Sequence, residues 1–151
     1  MRIHFLLLGV AVAVAAASPA SAKDHVVKML NKGQSGLMVF EPALIKIVPG
    51  DTVTFVATDK SHNAESIAGM APAGAVPFKG KMNQNVTVKF SKTGVYGYKC
   101  LPHYGMGMVG AVVVGNASPN LEAAKRVTHP GKAKQVFAKL LAGSGLQNAE
   151  R

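Results

Sequence analysis

Apolar and polar residues alternate along much of this chain, and a period of two predicts strands. Val53, Phe55 and Ala57 alternate with Thr52, Thr54 and Thr58, the pattern of a half-buried strand. Val86, Val88 and Phe90 do the same against Asn85, Thr87 and Lys89. Val26 to Leu30 reads as a first strand, and Asn31 to Gly36 as a turn-rich loop. A second extended run starts at Leu37, and Pro42, which cannot donate to a ladder, points there to an edge or a bulge. Leu44 to Val48 leads into Pro49-Gly50, a pair suited to the centre of a type II turn. After a turn at Ser91 to Gly94, Val95 to Cys100 is the strand that delivers the cysteine. Val109 to Val114 is apolar almost throughout, as expected of a strand in the core between two sheets.

Ala64 to Gln84 breaks this rhythm. A short helical turn is expected around Glu65 to Met70, with loop beyond it; connections this long tend to be functional or mobile. After Gly115 the period becomes helical. Ser118-Pro119 supplies a cap and a proline at the first helical position, and Asn120 to Val127 continues that helix. A second helix starts near Thr128 to Gly131, puts Val136, Phe137, Leu140 and Leu141 on one face, and stops at Gly143. That face is expected to cover the sandwich rather than a membrane or a partner. Short strands without alternating helices indicate an all-β antiparallel sandwich, here with two C-terminal α-helices.

The first 22 residues stand apart. Arg2, the apolar run from Phe5 to Ala17 and the small residues Ala20-Ser21-Ala22 have the layout of a secretory signal peptide, with a run too short to span a bilayer. Residues 23–151 then form a single exported domain, and no other stretch is long and apolar enough to cross a membrane. The formal net charge is +10 and the pI about 10.0. Nucleic-acid binding is the other reading of that charge, but export and the lack of a recognisable motif count against it.

Export makes the one cysteine informative, since a secreted thiol without a partner needs protection. Cys100 sits in Tyr98-Lys99-Cys100-Leu101-Pro102-His103-Tyr104-Gly105-Met106-Gly107-Met108, a stretch that also offers imidazole and thioether. Thiolate, two imidazoles and a weak thioether are the ligands of an electron-transfer copper site, because both oxidation states accept them. The second imidazole must come from upstream, and His62 is the best placed. Asn63 beside it could hydrogen-bond across to the cysteine loop. His4 belongs to the signal peptide, while His25 and His129 read as surface residues. Spacing alone leaves Met106 and Met108 as alternatives, and Met29, Met38, Met70 and Met82 read as filler. Four protein ligands would leave no open position for substrate, so the site is not that of an enzyme.

Five stretches carry a family resemblance: Asn31-Lys32-Gly33, Met38-Val39-Phe40-Glu41-Pro42, Pro49-Gly50-Asp51-Thr52-Val53-Thr54-Phe55, His62-Asn63-Ala64-Glu65-Ser66-Ile67 and Cys100 to Met108 with its Cys-x-x-His-x-x-x-x-Met spacing. Together they resemble the pseudoazurins, blue copper proteins of the cupredoxin family, through essentially the whole of residues 23–151. The resemblance implies a Greek-key cupredoxin β-sandwich of about eight strands with one type 1 copper per chain. It implies His62, Cys100, His103 and Met108 as the ligands. Leu101 departs from the threonine that many members carry there, which removes a hydroxyl from beside the thiolate.

The expected function is that of a soluble, monomeric, periplasmic one-electron carrier, and the resemblance implies denitrification enzymes such as nitrite reductase as its recipients, with cytochromes as further partners. Lys32, Lys60, Lys79, Lys81 and Lys99 would ring an apolar patch around His103 and steer acidic partners to it. The competing expectation is a periplasmic protein for copper delivery or storage, using the same soft ligands.

Overall fold

The computed structural model describes residues 21–143 and Leu146. The expected signal peptide falls outside these apart from Ser21 and Ala22, which are exposed. Among the described residues, eight strands form two four-stranded sheets: β1 (Asp24–Gly33), β2 (Gly36–Glu41), β3 (Leu44–Ile47), β4 (Thr52–Val56), β5 (Glu65–Ser66), β6 (Val86–Lys89), β7 (Gly94–Lys99) and β8 (Val109–Val114). One sheet has the order β2-β1-β4-β6 and the other β3-β8-β7-β5. The sandwich is not purely antiparallel as expected, because β1 pairs with β4, and β3 with β8, in parallel. Side-chain alternation reports which face is buried and is blind to the direction of the neighbour.

Most strands lie where alternation places them. In β4, Val53 and Phe55 are buried between half-exposed threonines and Val56. The turn after Val48 closes with the Asp51 N–H donating to the Val48 carbonyl at 3.2 Å, and Gly50 holds the positive φ of 100° that a type II turn requires there. Pro42 lies just beyond β2, itself an edge strand. The loop expected from Asn31 to Gly36 shrinks to Gln34-Ser35, because β1 runs on to Gly33.

The core between the sheets holds Val27, Met29, Phe40, Phe55, Phe90, Tyr98, Val112 and Val114, with the Phe40 and Phe55 rings each 4.8 Å from that of Tyr98, edge to face. A second apolar layer lies on the far side of β8, where Val109, Ala111 and Val113 pack against α1 (Leu121–Lys125) and α2 (Ala133–Leu140) through Ala124, Ala133 and Phe137. This explains why β8 has no polar position: it is buried on both faces, not only between the sheets.

Three local expectations are corrected. Glu65 and Ser66 form a strand rather than a helical turn, pairing with Lys99 and Tyr98 of β7. The first helix starts at Leu121, not at Pro119, and no side chain caps it. Asn120, the residue before it, instead clamps Val95: its Oδ1 accepts from the Val95 N–H at 2.7 Å and its Nδ2 donates to the Val95 carbonyl at 2.8 Å. The second helix begins at Ala133, later than the expected start near Thr128 to Gly131.

Candidate metal centre

Cys100 lies one residue beyond β7, so the ladder brings the chain to it without including it. The loop that follows is closed at its base by the Cys100 N–H donating to the Met108 carbonyl at 3.0 Å. Inside it, the His103 carbonyl accepts from the N–H groups of Met106 and Met108 at 3.1 and 3.2 Å. Gly107 takes φ 92° against Lys132 and Val136, where a Cβ would press on both side chains. The Lys132 N–H donates to the Gly105 carbonyl at 2.9 Å, so the start of the second helix braces the loop.

His62 enters from the connection between β4 and β5 and is fully buried. Its Nδ1 lies 3.7 Å from Cys100 Sγ and 3.1 Å from His103 Nδ1, and Sγ lies 3.5 Å from His103 Nδ1. These three side chains, among the described residues, lie close enough together to hold one metal ion. With bonds of about 2.0 Å to nitrogen and about 2.3 Å to sulfur, one ion would reach all three donors at angles of roughly 100–120°. The donor set therefore fits a single soft or borderline ion in a trigonal to tetrahedral site.

Neighbouring groups orient the donors. Asn31 Oδ1 lies 2.9 Å from His62 Nε2 and accepts its hydrogen, which leaves the Nδ1 lone pair for the metal. Asn63 does what the sequence assigned to it: its Oδ1 accepts from the Leu101 N–H at 2.8 Å, and its Nδ2 donates to Glu65 Oε2 at 3.1 Å. Burial, and next the His103 ring, push the His62 imidazole below its usual value, against the weaker pull of Asp59. Burial pushes the Cys100 thiol up; N–H groups of Asn63 and His103 work against it, and Glu65 adds to it. Without metal, burial thus favours the neutral forms of His62 and Cys100.

Of the other expected site residues, Met108 is fully buried in the same core cluster as Cys100, while Met106 is half exposed. Lys32, Lys60, Lys79 and Lys81 are exposed. Lys99 is not free in that ring: its Nζ lies 3.5 Å from Glu65 Oε1 and 4.8 Å above the centre of the Tyr104 ring. Leu101 and Met106, which flank half-buried His103 in sequence, are exposed apolar residues.

Two histidines differ from expectation. His129 is buried, with Nδ1 2.7 Å from the Tyr104 hydroxyl and its ring stacked on Phe137 at 4.3 Å. His25 lies in β1 with its Nε2 3.0 Å from Asp51 Oδ2. Sequence reasoning missed Asn31 as a positioning residue, and a polar residue near the end of a strand carries no local signal of that role.

Comparison with known proteins places these features in context. Residues 27–115 match the copper binding proteins of the plastocyanin/azurin family. The chain is 56% identical to a pseudoazurin of Methylorubrum extorquens over 119 residues, 79% of this chain and 80% of the relative. It is 51% identical to a pseudoazurin of Paracoccus pantotrophus over 132 residues, 87% of this chain and 91% of that one. The crystal structure of pseudoazurin from Methylobacterium extorquens AM1 superposes with a TM-score of 0.76 at 53% identity, covering 79% of this chain and 97% of the other.

Proposed function

Because this chain belongs to the pseudoazurins, blue copper electron carriers of the plastocyanin/azurin family, we propose that His62, Cys100, His103 and Met108 hold its one copper ion and that it serves as a periplasmic electron donor. The observation that carries the ligand assignment is the triangle of His62 Nδ1, Cys100 Sγ and His103 Nδ1, set between two loops that Asn63 ties together. Buried Met108 supplies the weak thioether, in preference to exposed Met106. Bound copper supplies a one-electron couple, Cu(I)/Cu(II), and nothing else.

The chain's own groups limit rearrangement around that couple. Asn31 fixes the His62 ring, the loop bonds at His103 and Met108 fix the remaining donors, and burial keeps water from His62 and Cys100. His103 is the ligand that reaches solvent, so a partner meets the site there, against Leu101 and Met106. Exposed Lys32, Lys60, Lys79 and Lys81 favour acidic partners, and denitrification enzymes such as nitrite reductase are the proposed recipients. The protein carries electrons rather than acting as an enzyme.

The test is the optical spectrum and cyclic voltammogram of the copper-loaded protein. An intense thiolate-to-copper band and a reversible couple are expected, and both should vanish in Cys100→Ala. A Cys100→Ala protein that stayed blue would refute the ligand set.

A further inference from the structure

The first strand begins beside a buried carboxylate with an unusual set of neighbours. Asp51 is 4% exposed, and its Oδ1 accepts from the Lys23 backbone nitrogen at 3.0 Å. Its Oδ2 accepts from the Val48 N–H at 3.2 Å and lies 3.0 Å from His25 Nε2. Removal of the segment ending at Ala22 turns the Lys23 nitrogen into a free α-amine two residues before an imidazole. The carboxylate takes the Nε2 hydrogen of that imidazole. This leaves Nδ1, the ring nitrogen nearest the backbone, with its lone pair for a metal, which is how carboxylates orient metal-binding histidines elsewhere.

We infer that export creates a second metal site on the first three residues, where the Lys23 α-amine, the backbone nitrogens of Asp24 and His25, and His25 Nδ1 bind Cu(II) or Ni(II). Four nitrogens along one short stretch of chain close successive small rings in a plane, and only a histidine third from a free amine does so. A planar nitrogen set suits Cu(II) and Ni(II), in contrast to the soft trigonal set at Cys100. The two sites share no residue.

The fold tolerates the rearrangement. Residues 24–27 of β1 pair only with β4, and pairing with β2 starts at Lys28. The side chains that anchor the strand in the core start at Val27. Binding exchanges the Lys23 contact with Asp51, the Thr52 N–H to Lys23 carbonyl bond of 2.9 Å, the Thr52 hydroxyl bond to Asp24 and the pairing of Asp24 and His25 with β4 for metal bonds. The α-ammonium and the two peptide nitrogens give up their protons to solvent, so binding strengthens as pH rises.

The inference rests on the export reading above and not on the ligands of the blue site. The test uses the exported protein with its copper bound, its first residue identified from intact mass, and Ni(II) as the probe. One further equivalent should bind with the absorption of square-planar nickel, loss of the Asp24 and His25 amide resonances, and unchanged blue colour. Binding should be lost in His25→Ala, and equally in a form with one alanine inserted before Lys23, which keeps every side chain and moves the histidine to fourth place. A mature chain starting elsewhere than Lys23, no nickel uptake by the correctly processed chain, or full uptake by the inserted form would overturn it. Blue colour, read in the same samples, reports separately on the site at Cys100.

Discussion

The Leu101 backbone N–H donates to Asn63 Oδ1 at 2.8 Å across 38 residues of chain. The bond joins the residue after His62 to the residue after Cys100, so the neighbours of two proposed ligands hold the two loops in register. Asn63 is held in turn by Glu65 and the Gly80 carbonyl, at 3.1 and 3.3 Å.

Replacing Asn63 with alanine removes all three bonds and leaves the buried Glu65 carboxylate short of a donor. The expected cost is about 1–3 kcal/mol of folding stability, measured by denaturant unfolding of the metal-free protein. The copper-loaded variant should also show a shifted and broadened thiolate band. Unchanged stability would mean that the loops are held by something else.

Metal binding at the centre should release the proton of Cys100. Burial keeps this thiol above its usual value, so at neutral pH the thiolate fraction, and with it the affinity for copper, falls about tenfold for each unit of acidification. Competition with a chelator at several pH values measures that slope. Removal of copper has a second consequence, with the opposite pH sense to a carboxylate's. A raised thiol stabilises the metal-free fold below the unfolded value of about 8.5, and that contribution is lost as pH rises through the folded value.

Asp51 should govern the acid limb of stability. Burial by itself pushes its carboxyl up, but N–H groups of Lys23 and Val48 and the ring of His25 outweigh burial and hold it below the usual range. Its contribution is present above the unfolded value of about 3.9 and is lost as pH falls through the lower folded value. Thermal unfolding from neutral to acid pH should show Asp51→Asn less stable by about 1.5–3 kcal/mol at neutrality, with the gap closing at low pH.

Reversing Lys60 and Lys81 together to glutamate should slow electron transfer to an acidic redox partner by about tenfold or more at low ionic strength. The difference should shrink as salt rises, since exposed charges are screened over about 10 Å at 0.1 M. Stopped-flow rates across a salt series decide it. Equal salt slopes in both proteins would remove these lysines from the docking surface.

Tyr98 should be more useful to the fold as phenylalanine. Its hydroxyl is buried without a hydrogen-bond partner among the described residues, beside Gly110, where an added Cβ would strike the phenol. Tyr98→Phe is expected to raise stability by about 1 kcal/mol or more, and Gly110→Ala to lower it sharply, both read from unfolding midpoints.

Much of this was legible in the chain itself. Alternation at Val53–Ala57 and Val86–Phe90 reports burial of one strand face, and Cys100 and His103 are close in sequence, so their meeting shows as a spacing, whereas spacing leaves Met106 and Met108 as alternatives. What needed the tertiary structure involves residues far apart along the chain. Asn31 reaches His62 across 31 residues, Glu65 leaves its helical propensity to pair with Lys99, and His129 is buried because Tyr104 and Phe137 meet over it. Local pattern reports which side of an element is dry, whereas the partner on that side is set by contacts that form only when the sheets and helices close together.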